Sequence, residues 1–360
     1  MKKLITKVLG NSIIARAKCI KASLNYSLIS ICAKTRFLSS LYYFFLCKDF
    51  KRENQAVLYG KMTYKKSLTN VGKTSALLRR NIHRLEKGLI MRPRRPIFAK
   101  DYILETVEHY SHCISLNTVD GKEIKWATDV ITEYFNSITI NNEKDVIKAK
   151  ELFLVSKQNE NKGQYGIEDF IPYAREKAIR SNITRDELRD LFLQRRSVRW
   201  FDQNKPVEEN LILEAIDLAT LAPSACNRQP FKFYYTVDKN IAREISKIPM
   251  GTAGFSDNLM ALIVVVGDLS YYPYERDRHV IYIDASLASM QLMLALESLG
   301  LSSCPVNWPD IESFEIKMEQ KLGIPKYQRP IILLPVGYAD PDGLIPSSPK
   351  KSSAELAIKI

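Results

Sequence analysis

Eight consecutive apolar residues, Leu259 to Val266 (LMALIVVV), stop abruptly at Gly267-Asp268. A run of that length, with no polar alternation, reads as a central strand buried on both faces. The sequence around it mixes helix and strand. Ala285 to Leu299 predicts a buried helix, interrupted mainly by Gln291 and Glu297 and stopped at Gly300. Ile331 to Val336 predicts a last buried strand, with Pro335 making its end an edge or an exit. Phe231 to Val237 is a shorter aromatic, β-rich run. Upstream, Thr184 and Glu187 have capping-box spacing ahead of Leu188, Leu191 and Phe192, so a helix starts there and runs into Arg195. Pro206 opens another, with Leu211, Ile212, Ala215, Ile216 and Ala219 at helical spacing. These elements make residues 181–360 one compact domain.

The first part of the chain has a different texture. Residues 1–100 hold 23 Lys and Arg against three acids (Asp49, Glu53, Glu86), whereas the remaining 260 hold 30 basic and 37 acidic residues. Charge of opposite sign in the two parts argues that they face different partners. Residues 1–60 and 75–115 read as helical, the latter interrupted by the extended or turn segment MRPRRP, Met91 to Pro96. In RRNIHRLEKGL, Arg79 to Leu89, local ion pairs among Arg84, Glu86 and Lys87 and a break at Gly88 describe a solvated helix end. Residues 1–165 form a basic, mostly helical region, and KQNENKGQYG, Lys157 to Gly166, is the expected linker.

No apolar core followed by a small-residue cleavage site marks a signal peptide. The most apolar N-terminal run, Phe37 to Cys47, has eleven residues, too few for the roughly 20 that span a bilayer. Flanked by Lys34, Arg36 and Lys48, it suits a membrane interface instead, or a basic arm packed on its own domain. The six cysteines show no paired spacing, which fits reduced thiols in the cytoplasm, with the basic region at the inner face of the membrane as an option. His109 and His112 lie near Cys113 without a second cluster, so no metal site is expected. Gly72-Lys73-Thr74 ends like a phosphate-binding loop, but Ser67 stands where the first glycine belongs and no strand precedes it, which excludes nucleotide hydrolysis. No nucleic-acid-binding motif accompanies the basic region, and nucleic acid is not an expected partner.

Two segments carry chemistry. RRSVRWFD, Arg195 to Asp202, gathers three guanidinium groups and a serine at a helix end, a donor set for a phosphate or another anion. Nineteen residues on begins LAPSACNRQPF, Leu221 to Phe231, in which Pro223, Ser224, Asn227 and Gln229 crowd a loop between helix and strand. Such a loop hydrogen-bonds a neutral polar face. YYPYERDRH, Tyr271 to His279, offers tyrosines for stacking and Arg276, Arg278 or His279 for an anion, or is a solvated loop.

The order R-R-S-x-R, amphipathic helix, A-P-S-A-x-N-x-Q-P-aromatic, buried strand, buried helix, L-G-L and buried strand resembles the nitroreductase family of FMN enzymes over the last half of the chain. The resemblance implies an α+β, nitroreductase-like FMN-binding fold, a central mixed sheet flanked by helices, to which this chain adds its helical basic extension. It implies that Arg195, Arg196, Ser197 and Arg199 bind FMN, Arg195 and Ser197 at the phosphate and ribityl end and Arg199 near the N1/O2 edge. Pro223, Ser224, Ala225 and Asn227 would reach the same FMN from the other subunit of a homodimer. Pro305, Val306 and Asn307, with Trp308, would present backbone groups to the flavin N5, and Lys350 and Lys351 would serve the phosphate. Phe231 replaces the family's usual tryptophan, Val306-Asn307-Trp308 its usual glycine-rich segment, and no amide between Phe231 and Leu259 is assigned to the pyrimidine edge.

The expected function is hydride transfer from NADH or NADPH through FMN to a small conjugated or nitroaromatic acceptor, with no catalytic acid, base or nucleophile. Two alternatives remain: a dedicated flavin-dependent step in glycan or other biosynthesis at the membrane surface, and a non-catalytic scaffold that binds a polyanion or membrane.

Overall fold

The computed structural model of the chain describes residues 11–47, 49–139, 142–159 and 169–360. Two compact units meet between Asn54 and Gln55. The first holds α1 (Asn11–Cys32) and α2 (Arg36–Phe45). Thr35 starts α2 by accepting the Leu38 amide at 3.2 Å, and no side chain of α2 is buried. Helix α3 (Lys51–Ser67) leads into the second unit.

There, α4 (Ala76–Leu89), α5 (Ile103–Leu116), α6 (Gly121–Ser137) and α7 (Lys144–Gln158) enclose a core of their own around Leu78, Ile82, Leu85, Tyr110 and Ile131. Met91 to Pro96 is non-helical, as the prolines require. The solvated helix end expected for Arg79–Leu89 is not found. Leu78, Ile82, Leu85 and Leu89 form a buried stripe, and the helix continues through Gly88. A Cβ there would stand 2.1 Å from the Phe98 ring, so glycine serves close packing rather than a break. Arg84 stacks on Tyr102 at 3.6 Å, and Glu86 accepts the Trp126 indole N–H at 3.0 Å, in place of the expected local ion pairs. Of the expected linker, residues 160–166 lie outside the described ones.

The remaining helices and strands are α8 (Arg185–Gln194), α9 (Glu209–Ala219), β1 (Phe231–Thr236), α10 (Lys239–Ser246), β2 (Ala261–Asp268), α11 (Val280–Ser298), β3 (Ser302–Ser303), β4 (Val306–Asn307), α12 (Glu312–Leu322), β5 (Gln328–Gly337) and the single turn α13 (Ser353–Leu356). The strands form one five-stranded sheet in the order β1-β2-β5-β3, with β4 also on β5. Among the described residues every ladder is antiparallel, in place of the mixed sheet expected, and parallel pairing is confined to one bridge, Ser197 to Ser303. Because successive side chains of a strand point to opposite faces, β2 feeds two cores. Ala261, Ile263 and Val265 pack with residues of α9 and α11, and Leu262, Val264 and Val266 with residues of α10 and α12.

Helix α9 begins three residues beyond Pro206, and α11 five residues before Ala285. Strand β5 is central, not an edge or exit, even though it contains Pro335. The reason is local. The Pro335 carbonyl accepts the Cys304 amide at 3.1 Å, so the missing N–H faces the gap between β3 and β4, where no ladder partner stands. Helix α3 seats on this domain through Gly60, where a Cβ would lie 2.7 Å from Leu269 Cβ, and Ala56 and Val57 join the core beneath.

Stretch Glu275–Ser298 is long and apolar enough to cross a bilayer, but Ala285, Ala288, Leu292 and Leu296 are buried, as in a core helix. Its other face is open: Ile283 is 58% exposed, and Leu287 and Met290 are exposed one and two turns on.

On the opposite side of the sheet, buried Arg329 donates through Nε to Glu315 at 3.1 Å and also pairs with Asp310. Glu315 takes the Trp308 indole N–H at 2.6 Å. Removing one partner of a buried pair strands the other charge. Glu315→Ala is therefore expected to destabilise the protein by about 3–5 kcal/mol, read from denaturant midpoints at constant m-value, and a loss below ~1 kcal/mol would contradict this account.

Candidate functional site

The capping box expected at Thr184 is formed, its hydroxyl accepting the Glu187 amide at 3.2 Å and the Glu187 carboxylate accepting the Thr184 amide at 2.8 Å. Arg195 caps the far end of α8. The chain then runs extended against the sheet: the Val198 amide donates to the Ser303 carbonyl at 3.1 Å and the Asp202 amide to the Tyr338 carbonyl at 2.9 Å. Val198 and Phe201 are buried and fasten the segment, which leaves Ser197 and Arg199 half-buried between them.

Arg195, Ser197 and Arg199 converge on Cys304. Burial pushes that thiol's pKa up, and Arg199, a hydrogen bond from Ser197, and Arg195 each pull it back. Arg199 donates to the Ser197 carbonyl at 3.2 Å and lies 5.7 Å from the Phe255 ring. Burial likewise raises the Glu297 carboxyl, against the pull of Gln194, Ser302 and Arg195. Glu297 Oε1 and the Ser303 hydroxyl are buried without a hydrogen-bond partner. Buried polar atoms are normally satisfied, so orphans beside a guanidinium cluster mark a place built for something more than the chain itself.

The other expected site residues divide. Pro305 and Asn307 are exposed and Val306 and Trp308 buried, with Val306 paired to Leu333 and Asn307 to Ile332. Following directly on Cys304, they adjoin the arginine cluster. Arg196 is turned away to the C-terminal tail, donating to the carbonyls of Pro346 and Ser347. That anchor leaves Lys350 and Lys351, both exposed, within about 14 Å of extended chain from the Arg196 contact. Asn258 lies in the stretch where no amide was assigned. It donates to the Arg199 carbonyl at 2.8 Å and accepts from Gln203 at 2.7 Å, so both ends of its amide are engaged.

The second motif is a strained loop. Cys226, Asn227 and Gln229 all have left-handed φ, at 53°, 50° and 49°. Asparagine tolerates this region; the other two do so at a cost. The Gln229 amide donates to the Ser224 hydroxyl at 3.0 Å, and the Ala225 amide to Asp284 at 3.0 Å. Burial raises the Asp284 carboxyl, whose second donor is the Tyr272 hydroxyl at 3.2 Å. Arg79, from α4, donates to the Asn227 carbonyl at 2.7 Å and to Gln229 Oε1 at 3.3 Å. Tyr271 to His279 is split accordingly: Tyr272 is built into this support, while Tyr274, Arg276 and Arg278 lie outside it.

Asp284 stands near the start of α11 and Glu297 near its end. Thirteen residues of helix separate them by about 20 Å. One chain therefore does not bring the two motifs together.

Comparison with known proteins places this geometry. The nitroreductase family model matches residues 192–257 and 253–338. A putative NADH dehydrogenase/NAD(P)H nitroreductase from Archaeoglobus fulgidus is 30% identical over 158 residues, covering 42% of this chain and 86% of that protein. An iodotyrosine deiodinase from Thermotoga neapolitana is 29% identical over 177 residues, 42% of this chain and 89% of that protein. Among solved structures, a nitroreductase family protein from Streptococcus pneumoniae aligns with a TM-score of 0.42 at 25% identity, covering 48% of this chain and all of that one. The C-terminal half is an oxidoreductase domain of that family. The chain belongs to the nitroreductase family, with residues 55–158 as an added helical module.

Sequence reasoning missed Arg79, Asp284 and the knot behind them. Ser75 Oγ and His109 Nε2 lie 2.7 Å apart, the Ser75 amide donates to Glu123 at 2.8 Å, and Glu123 pairs with Arg79 at 3.0 Å. The only signal was Arg79 on the polar flank of an amphipathic helix. Burial, with His112 adding to it, lowers the His109 pKa to about 4. The unfolded chain takes up that proton near pH 6.5, so stability is complete above 6.5 and declines as pH falls toward 4. His109→Gln should flatten this decline by about 2 kcal/mol in denaturation curves at pH 7 and pH 4.5; an unchanged slope would refute a neutral buried imidazole.

Proposed function

We propose that this chain is an FMN-dependent oxidoreductase that takes a hydride from NADH or NADPH and passes two electrons to a small conjugated or nitroaromatic acceptor. In this reading each FMN lies between two copies of the chain. The observation that carries it is the separation of the two motifs by the length of α11, with the exposed stripe of Ile283, Leu287 and Met290 between them. An apolar stripe flanked by two incomplete halves of a site suits a two-fold interface, in which each half meets the other's complement.

The donor set fits the cofactor. Arg195 and Ser197 offer phosphate and ribityl donors, the orphaned Ser303 hydroxyl stands beside them, and Lys350 and Lys351 are within reach. Pro223, Ser224, Ala225 and Asn227 of the second copy cover the opposite side. FMN, when bound, supplies the two-electron chemistry. The chain supplies binding, orientation and a cation, Arg199, whose field favours the reduced, more negative ring. Nicotinamide and acceptor use the same face in turn, which gives ping-pong kinetics. The relatives' names, nitroreductase and iodotyrosine deiodinase, favour an aromatic acceptor.

The purified protein is expected to absorb near ~450 nm and to bleach anaerobically with NADH or NADPH. In Ile283→Glu/Leu287→Glu, size-exclusion mass and flavin content should fall together. A monomer that retains its flavin would sink the shared-site reading.

A second reading adds location, and the first unit favours it. Residues 1–54 carry 11 Lys and Arg against two acids, and in α2 Phe37 is 71% and Phe45 68% exposed, with Phe44 beside them. Exposed aromatic side chains in a strongly basic stretch of sequence suit the surface of an anionic bilayer. In this reading the enzyme works at the inner face of the membrane, on a dedicated step in glycan or other biosynthesis at that surface. Full-length protein should float with phosphatidylglycerol vesicles and not with phosphatidylcholine alone. Phe37→Ser/Phe44→Ser/Phe45→Ser should stay at the bottom of the gradient; equal flotation of this variant rules out the aromatic anchor.

A further inference from the structure

A cleft of about 1180 Å³ opens between the helical module and the β1 edge of the sheet domain, against the strained loop. Its size exceeds the ~300–1,000 Å³ of ordinary small-molecule pockets. The walls are aromatic: Trp126, Phe170, Phe231, Phe233 and Tyr271 all face it. Trp126 is held as a fixed platform, its N–H on Glu86 and its ring 5.4 Å from the Arg79 guanidinium.

Charged groups surround these rings. Glu123 pairs with Arg79 and also takes the Ser75 amide and the Thr74 hydroxyl at 2.6 Å. Asp120 accepts the Lys122 amide at 2.9 Å, and Glu86 holds the indole. Lys73, Lys122 and Lys177 line the cleft without an ion pair among the described residues, beside the carboxylates of Glu86, Asp120 and Asp169. Arg228 also lines it but is only 6% exposed, its guanidinium 4.8 Å from the Tyr272 ring.

We propose that this cleft binds a planar ring bearing a carboxylate or phosphate, and that it selects the acceptor of the oxidoreductase. Trp126 and its aromatic neighbours take the ring, while Lys73, Lys122 and Lys177 take the acidic group. As an acceptor site it rests on the flavin reading above; as an anion site it does not. The helical module thereby becomes a specificity device absent from the matched family segment. Asn227, Arg228 and Gln229 put the cleft in direct contact with the loop that Arg79 grips.

The test is calorimetric titration of the oxidised, flavin-loaded full chain with p-nitrobenzoate, p-nitrophenyl phosphate and neutral p-nitrobenzyl alcohol. At least one anion should bind tenfold or more tightly than the alcohol, and which of the two does so identifies the acidic group. Lys122→Glu/Lys177→Glu should abolish that preference, and Trp126→Ala should weaken all three ligands, with melting temperature as the folding control. Equal affinity for anions and alcohol, or an anion preference untouched by the double variant, overturns the proposal. Should the protein prove colourless, the same titration still reports on the cleft, so failure of the flavin reading and failure of this one are separately visible.

Discussion

Helix α11 sets the distances on which the rest of the molecule depends. Ala285, Ala288, Leu292 and Leu296 lock it under the sheet, while polar groups on its buried side mark its two ends. Near the first end, Asp284 receives the Ala225 amide and holds the strained loop. Near the other, Glu297 lies beside Gln194 and Arg195. Each motif is thus tied to a different end of one rigid rod of about 20 Å. Closing them around one ligand within a single chain would require breaking that rod or the core beneath it. In the proposed arrangement a second copy supplies the missing half, approaching along the exposed stripe on α11.

The strain in the loop has a measurable counterweight. Left-handed backbone costs a residue other than glycine or asparagine roughly 1–2 kcal/mol, and Cys226 and Gln229 both adopt it. Against this stand two hydrogen bonds with a charged partner, Ala225 to Asp284 and Arg79 to Asn227, each contributing about 1.5–3 kcal/mol. The two totals are comparable. The loop conformation is therefore held jointly by the sheet domain and by the helical module.

The elements legible in the sequence were those whose signal is local. Thr184 and Glu187 announce a helix because a capping box needs only four residues, and Leu259–Val266 announces a central strand because burial on both faces leaves no polar position. What was hidden depends on partners far along the chain. Gly88 reads as a breaker until Phe98 is known to press on it, and Pro335 reads as an edge until the gap between β3 and β4 is seen opposite. Arg79 reads as a solvated charge, yet its partners Glu123, Asn227 and Gln229 lie 44 to 150 residues away. The candidate site was half legible for the same reason: its motifs are contiguous, but their mutual distance is a property of α11.

The position of Arg79 also bears on how the two halves of the chain act together. Its guanidinium touches Glu123 in the helical module, the Trp126 ring beside the cleft, and the backbone of the loop. The helical module is then more than a wall. One side chain, Arg79, is shared between the knot at Glu123, the Trp126 platform and the backbone at Asn227. An anion that drew the guanidinium toward the cleft would therefore loosen its hold on the loop, and a ligand that tightened the loop would by linkage alter affinity in the cleft by the same factor.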